Sequence, residues 1–149
     1  MALSIKPYIE NKERIHLIGI GGVSMNSLAE LLLSKGVPVS GSDRLRTDVT
    51  ARLEALGASI TYEHRPENVE GASLIVRTAA VHDENPEIVR AHELGIPVMK
   101  RAEAWGHIMR DYDNVVCLSG THGKTTSTSM MTMMTIEAKM DPTVMVGSN

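Results

Sequence analysis

Seven residues near the carboxyl end of the chain have types and a spacing suited to phosphate chemistry. Glycines let backbone N–H groups curl around an anion, and a helix that starts after the turn adds the positive end of its dipole. A lysine after the second glycine can reach terminal phosphates, and the next hydroxyl can ligate Mg²⁺. The apolar run 115–118 precedes them, which predicts a strand, a phosphate loop and a helix. The seven residues are Gly120, Thr121, His122, Gly123, Lys124, Thr125 and Thr126.

A second Gly-rich turn follows the apolar segment 15–20 near the amino end. Gly19 permits a tight turn, Gly21 permits close approach of the backbone to a diphosphate, and a helix near Val23 supplies N–H donors. Asp43 ends the next apolar run, where an acidic residue holds a ribose hydroxyl. The pattern fits NAD, FAD or a sugar nucleotide. A tight strand–helix turn that binds nothing is the alternative at this stage.

The elements that must position these turns are predicted from apolar runs and helical periodicity. Strands are predicted at 15–20, 37–41, 59–62, 73–76 and 97–99, with helices starting at Val23, after Thr47, after Asn85 and at Arg101. This alternation predicts an α/β fold, a Rossmann-like parallel sheet with helices on both faces. The phosphate loop would then begin an ATPase domain, with a further strand at 143–146. We expect domains at 1–112 and 113–149.

Helical spacing predicts which side chains face the interior. Residues 1–14 are polar and are expected to be a lead-in. Cys117 is expected in the core rather than as a nucleophile, and the methionine run as core filling. The predicted interior residues are Met25, Leu28, Ala29, Leu32, Val49, Leu53, Leu56, Ala102, Trp105, Ile108, Met109, Cys117, Met130, Met131, Met133 and Met134.

Bulk properties exclude several classes of protein. The chain has 149 residues and a net charge of −3, which gives no polybasic surface for nucleic acid. One Trp, three Tyr and no Phe offer few platforms for base stacking, and one Cys forms no intrachain disulfide. No apolar run approaches the ~18 residues of a membrane helix. We expect a cytoplasmic protein that binds neither nucleic acid nor membrane.

Together the two Gly-rich turns resemble the Mur ligases, the ATP-dependent amide-forming enzymes of peptidoglycan precursor synthesis. Leu118 stands where the common phosphate-loop pattern has its first glycine, and the shorter form of the loop is the one these ligases carry. The closer match is to the alanine-adding branch, although Ser24 replaces a frequent glycine. The segments that carry this match are 19–25, 40–43, 78–81 with 85–87, and 101–103.

This resemblance implies a site for UDP-N-acetylmuramate in the first domain and a site for ATP on the seven-residue loop. Lys124 and Thr125 would be catalytic, with Mg²⁺ on Thr125, and the L-alanine pocket would lie outside this chain. For Thr78 and Ala79 a plain strand-to-loop turn is the alternative, and for His64 an ordinary surface position. The implied UDP-sugar residues are Gly19, Gly21, Gly22, Val23, Ser24, Met25, Asp43, His64, Thr78 and Ala79.

Three other functions stay open from the residues. A muropeptide-recycling ligase of the same family would attach a tripeptide to the same UDP-sugar. A nicotinamide-dependent oxidoreductase would explain Gly19, Gly21 and Asp43 but not the loop 120–126. A nucleotide-binding module without catalysis fits the chain as it stands. We read the chain as the N-terminal part of a ligase that by itself binds UDP-sugar without turnover, because Glu137 is too far along the helix to reach a metal at Thr125.

Overall fold

The computed structural model describes residues 3–146, which divide into two compact units with the boundary between Tyr112 and Asp113. The first unit alternates strands with helices along the chain. The second unit contributes one helix, α6. The strands are β1 (Ile15–Ile18), β2 (Val39–Ser42), β3 (Ser59–Thr61), β4 (Leu74–Arg77) and β5 (Val98–Lys100). The helices are α1 (Lys6–Glu10), α2 (Val23–Ser34), α3 (Asp48–Ala55), α4 (Pro86–Glu93), α5 (Arg101–Met109) and α6 (Lys124–Glu137), with a 3-10 helix at Pro66–Val69.

The strands form one sheet in the order β3-β2-β1-β4-β5, and every neighbouring pair is parallel. The order reverses between β1 and β4, because the chain builds outward to β3 before it crosses back. In open sheets of this kind ligands bind outside the carboxyl ends of the strands at that reversal. The turn after β1 begins there, so the fold places the first Gly-rich turn at the expected crevice.

Two apolar clusters cover the two faces of this sheet. The larger holds Leu17, Leu74 and Met99 against side chains from α1, α2, α3 and α5. The smaller holds Ile18 and Ile75 against Val69 and α4. Neighbouring residues of a strand point to opposite faces. Helices therefore lie on both faces, which confirms the predicted α/β class.

Local signals fixed the ends of several elements as predicted. The Thr47 side chain accepts from the N–H of Thr50 and caps α3, and the Asn85 side chain accepts from Glu87 and caps α4. The predicted inner face of α2, formed by Met25, Leu28, Ala29 and Leu32, is fully buried.

Several predictions about the interior of the first unit were wrong. The described part of the predicted lead-in, residues 3–14, contains α1 and also Ile5, whose side chain is fully buried in the main core. On α3 only Leu53 of the predicted stripe is buried; Val49 and Leu56 are 38% and 53% exposed. On α5 Ala104 faces the core in place of Ala102. These helices are eight and nine residues long, and a one-residue change of register rotates such a short apolar stripe away from the sheet.

The second unit has one helix and no strand among its described residues. The predicted strands at 115–118 and 143–146 are not formed. Cys117 is exposed, and the four methionines of the predicted core are between 38% and 69% exposed. A strand needs a neighbouring strand to hydrogen-bond with, and no strand forms among the described residues of this unit. The helix α6 itself is confirmed.

Two glycines of the first unit make a matched pair for testing the packing. A methyl group on Gly41, inside β2, would lie 2.7 Å from Ile20 Cδ1 and 2.8 Å from the Leu17 carbonyl oxygen, whereas Gly106 in α5 has no atom within 4 Å. We expect Gly41→Ala to cost about 1–3 kcal/mol of unfolding free energy and Gly106→Ala to add about 0.5–1 kcal/mol. Urea denaturation of both variants measures this, and equal effects would contradict the packing around β2.

None of the helices within residues 3–146 combines the length and the apolar character needed to cross a membrane.

Candidate functional site

The turn after β1 is held over the end of the neighbouring strand. Gly19 has a φ of +80°, a conformation that L side chains rarely adopt. Its N–H and the N–H of Ile20 donate to the carbonyl oxygen of Ser42, at 2.8 Å and 3.1 Å. Gly22 donates back to Gly19 at 3.1 Å and precedes α2. The turn is thus rigid, and the amino end of α2 opens onto the carboxyl edge of the sheet.

Asp43, the residue after β2, closes the same turn from the other side. Its Oδ2 accepts the N–H of Gly21 at 2.8 Å, and its Oδ1 accepts the N–H of Arg44 at 2.7 Å. A methyl group on Gly21 would lie 2.9 Å from that Oδ2 and 3.1 Å from a Thr50 methyl carbon. The structure therefore brings together Gly21 and Asp43, which the sequence singled out separately.

The other predicted residues of this site occupy different surroundings. Thr78 follows β4, and its methyl group would lie 3.5 Å from a Cβ on Gly19. The neighbouring Ala79 is exposed. Val23 and Ser24 are half-buried at the start of α2, and the Ser24 carbonyl accepts from Trp105 Nε1 at 3.3 Å. Met25 is fully buried in the core, so its side chain holds the helix to the sheet.

His64 lies in the loop after β3, and its side chain is 19% exposed. Its Nδ1 is 2.7 Å from Glu87 Oε2 and 3.2 Å from Ser42 Oγ. Glu87, in the first turn of α4, is fully buried. Sequence analysis gave Glu87 no role, although a carboxylate directly after a capping Asn-Pro pair in a helix with an apolar face was a signal to examine. The loop position of His64 is therefore tied to the interior of the sheet.

Four side chains surround the Glu87 carboxylate. His16 Nε2 lies 3.2 Å from Oε1 and Asn68 Nδ2 lies 2.7 Å from it, while Ser42 Oγ lies 2.8 Å from Oε2. Burial raises the pKa of Glu87, but the hydrogen bonds from His16, Asn68, His64 and Ser42 together outweigh it and hold the pKa below its ordinary value. The carboxylate is thus ionised at neutral pH.

A shallow cavity of about 280 Å³ lies beyond the ends of β4 and β5. Arg77 lines it, donating to the Val81 carbonyl at 2.6 Å and pairing with Asp83 at 2.8 Å. Ala79 and Lys100 also line it. The cavity continues the carboxyl edge of the sheet past Thr78.

The predicted phosphate loop of the second unit has a left-handed residue at the start of its helix. Gly123 has a φ of +76° and precedes α6. The Lys124 ammonium group donates to the carbonyl oxygens of Gly120 and Thr121, at 2.6 Å and 3.4 Å. His122, Thr125 and Thr126 are exposed. The first N–H groups of α6 have no intrahelical acceptor, as at the amino end of any α-helix.

The Thr125 hydroxyl at the start of α6 has the donor chemistry for Mg²⁺. Within residues 3–146 no three His, Cys, Asp or Glu side chains come together in a way that could hold a metal ion.

The family model described as "Mur ligase family, catalytic domain" matches residues 14–113, more than half of the chain. The chain belongs to the Mur ligase family. The matched range contains the Gly19–Asp43 turn, His64, Glu87 and Thr78, so the buried carboxylate lies within the family region.

Relatives within the Mur ligases are similar over almost the whole chain. The UDP-N-acetylmuramate–L-alanine ligase of Clostridium novyi is 49% identical over 140 residues, which are 94% of this chain and 31% of that protein. The crystal structure of UDP-N-acetylmuramate–alanine ligase from Thermotoga maritima has a TM-score of 0.85 and 36% identity, covering 91% of this chain and 32% of that one. The chain thus spans about a third of the length of these relatives.

A second Mur ligase structure is similar in fold and lower in identity. It is the UDP-N-acetylmuramate:L-alanyl-gamma-D-glutamyl-meso-diaminopimelate ligase from Neisseria meningitides, with a TM-score of 0.83. It is 27% identical and covers 92% of this chain and 43% of that chain. The backbone of the first unit is therefore common to ligases whose names give different amino components.

Proposed function

We propose that this chain is part of an ATP-dependent ligase that joins L-alanine to UDP-N-acetylmuramate in peptidoglycan precursor synthesis. The observation that carries the proposal is the 49% identity, over 94% of the chain, to a UDP-N-acetylmuramate–L-alanine ligase. The Gly21–Asp43 contact supports it, because a rigid Gly-rich turn beside a carboxylate suits a nucleoside diphosphate.

The first unit, residues 1–112, is proposed to hold the UDP part of the substrate. The turn at Gly19–Gly22 and the start of α2 would receive the diphosphate, because glycine allows a close approach to the backbone and the positive end of the α2 dipole favours anions there. Asp43 would accept a ribose hydroxyl, and His64 would face the base. Val23, Ser24 and Met25 would contribute through the backbone at the start of α2, with Thr78 and Ala79 at the edge beyond β4.

The second unit, residues 113–149, is proposed to begin the ATP-binding domain. Backbone N–H groups from Gly120 to Thr126 would hold the phosphates. Lys124, which in this structure bridges two loop carbonyls, would turn toward the transferred phosphoryl group. Thr125 would hold Mg²⁺, which supplies charge neutralisation on the phosphate oxygens when bound.

The proposed reaction has two steps that balance without a redox partner. The muramoyl carboxylate oxygen attacks the γ-phosphorus of ATP, the bond to ADP breaks, and an acyl phosphate forms. The amine of L-alanine then attacks the acyl carbon, inorganic phosphate leaves, and the amide remains. We propose a cytoplasmic location, where ATP is available. For the isolated chain we propose binding of UDP-sugar without turnover.

The muropeptide-recycling ligase is the second candidate. The 36% identity to the alanine-adding structure against 27% to the tripeptide-adding one favours alanine. The measurement that separates them is which amine supports phosphate release by the full-length protein.

The expected result for nucleotide choice is tighter binding of UDP-N-acetylmuramate than of NAD. Calorimetric titration of the 149-residue chain with each ligand measures this, and we expect at least about a tenfold difference. Asp43→Asn should weaken UDP-sugar binding, because the amide is a poorer acceptor for the ribose, while Asp111→Asn on the surface should not. Tighter binding of NAD would contradict the proposal.

A further inference from the structure

The face of the sheet beneath α4 is divided into an apolar part and a polar part. His16 and Ile18 share this face, and their partners across β2 are Ser40 and Ser42. On the β4 side the same face carries Ile75 and, at the end of the strand, Arg77. His16, Ser40, Ser42 and Glu87 are all 4% exposed or less. A group of buried polar side chains therefore replaces core packing under one half of the sheet, and its members need complete hydrogen bonding.

The donors and acceptors of this group can be assigned because an ionised carboxylate only accepts. His16 Nε2 and Asn68 Nδ2 must donate to Oε1, and Ser42 Oγ and His64 Nδ1 must donate to Oε2. Glu87 thus receives two donors on each oxygen. His16 Nδ1 is then an acceptor, facing Ser40 Oγ at 2.9 Å. Among the described residues no buried side-chain polar atom lacks a partner, so every assignment is satisfied.

This assignment determines whether Nε2 of a neutral His64 ring carries a proton. In a neutral imidazole one nitrogen carries the proton and the other accepts. With the proton on Nδ1, Nε2 presents a lone pair. The described residues offer Nε2 no hydrogen-bond partner, and the His64 side chain is 19% exposed, whereas that of His16 is 1% exposed. His64 therefore displays a hydrogen-bond acceptor on the loop after β3.

The order of the strands places that acceptor relative to the nucleotide. The turn at Gly19 follows β1, Asp43 follows β2, and His64 lies three residues beyond the end of β3. A nucleoside diphosphate laid along this edge with its phosphates at β1 and its ribose at β2 carries its base toward β3. Ser42 links the two ends, because its carbonyl holds the Gly19 turn and its hydroxyl donates to Glu87.

We infer that Glu87 is a positioning residue that fixes the Nδ1–H tautomer of His64. His64 then accepts a hydrogen bond from the base at Nε2, and so it selects a base whose edge carries an N–H donor. The uracil ring has such a donor at N3, and cytosine has a lone pair at that atom. This inference rests on the proposed binding of a UDP-sugar for the identity of the ligand. The tautomer itself does not depend on any ligand.

The first test measures the tautomer in the ligand-free protein. Long-range ¹H–¹⁵N spectra separate protonated from bare imidazole nitrogens, and loss of one set of signals in His64→Ala assigns that residue among the six histidines. We expect His64 to show a protonated Nδ1 and a bare Nε2 at pH values where it is neutral. A protonated Nε2 would overturn the inference, even if UDP binds.

The second test compares the affinities for UDP and CDP. The wild-type chain should prefer UDP by about tenfold or more. With CDP one hydrogen bond is lost, and the lone pair of cytosine N3 faces the lone pair of His64 Nε2. Glu87→Gln keeps the His64 ring but supplies an amide that can donate or accept, so the preference should fall toward unity. Glu93→Gln, on the same helix with a side chain 57% exposed, should keep the wild-type ratio.

The outcomes separate the two hypotheses. If UDP fails to bind the wild-type chain, the proposed function fails, while the tautomer measurement still decides the role of Glu87. If UDP and CDP bind the wild-type chain equally, the base-reading role of His64 is wrong. If Glu87→Gln keeps the full preference, Glu87 does not set it. If that variant does not fold, the wild-type spectrum remains decisive.

Discussion

Replacing Glu87 by leucine is expected to lower the free energy of unfolding by about 3–5 kcal/mol at neutral pH. Four donors converge on this fully buried carboxylate, from His16, Ser42, His64 and Asn68. Leucine removes the acceptor and leaves the donors of the buried His16 and Ser42 without it, which costs more than the lost bonds themselves. Urea denaturation of the wild type and the variant measures the difference.

The effect should also depend on pH with a definite sign. The pKa of Glu87 in the folded chain lies below its ordinary value of 4.5. A carboxyl group with a lowered pKa stabilises the fold fully above the unfolded value, and that contribution is lost as the pH falls through the folded value. The contribution of the Glu87 charge should therefore be complete at neutral pH and shrink as acid protonates the carboxylate.

The control for this experiment is Glu93→Leu, which changes an exposed carboxylate at the end of the same helix. It should shift stability by less than about 0.5–1 kcal/mol at any pH, because a surface ion pair contributes little. A Glu87→Leu effect no larger than that of the control would contradict the buried network. A large effect that stays constant into acid would show that the charge is not its source.

Gly21→Val is expected to reduce UDP affinity by at least about 100-fold, or about 2.7 kcal/mol. The first carbon of a side chain at this position would already stand 2.9 Å from Asp43 Oδ2 and 3.1 Å from a Thr50 methyl carbon. The valine must push Asp43 away from the Gly21 N–H, which opens the turn and moves the carboxylate proposed for the ribose. It also fills space that the diphosphate would need beside the backbone.

Titration calorimetry with UDP measures this loss, and thermal unfolding of the same samples shows whether the fold survives. Gly106→Val is the matched control, because Gly106 has no atom within 4 Å of an added Cβ. UDP binding by Gly21→Val within a few-fold of wild type would contradict a diphosphate site at this turn. A melting temperature lowered by many degrees in that variant would assign the loss to unfolding instead.

Local sequence features determined the architecture of the first unit. Alternating strand and helix patterns predicted the parallel sheet, and the caps at Thr47 and Asn85 set the starts of two helices. These signals act over a few residues, through side-chain to backbone hydrogen bonds and apolar spacing. The same holds for the start of α6 after Gly123. The Gly-rich turns and Asp43 were likewise indicated by residue types and their spacing in the sequence.

Packing decided what spacing alone could not. Val49 and Leu56 belong to the predicted apolar stripe of α3 but are exposed. Burial depends on where the helix contacts the sheet and not only on the periodicity of the helix. In the second unit the apolar residues of α6 are exposed and the predicted strands did not form, because propensity without a packing partner does not hold a strand.

The Glu87 network belonged entirely to the tertiary structure. His16 and Glu87 are 71 positions apart in the chain, and Ser42 and Glu87 are 45 apart. Taken singly, each of these residues would be interpreted from the sequence as an ordinary surface or core residue. Nothing in their order along the chain indicates that they contact one another. The sequence by itself determined the sheet, its turns and the residue types at its edge. The parallel order of β1, β2 and β3 under α4 decided that a buried carboxylate would orient His64, because hydrogen bonds between distant residues exist only once the strands are in register.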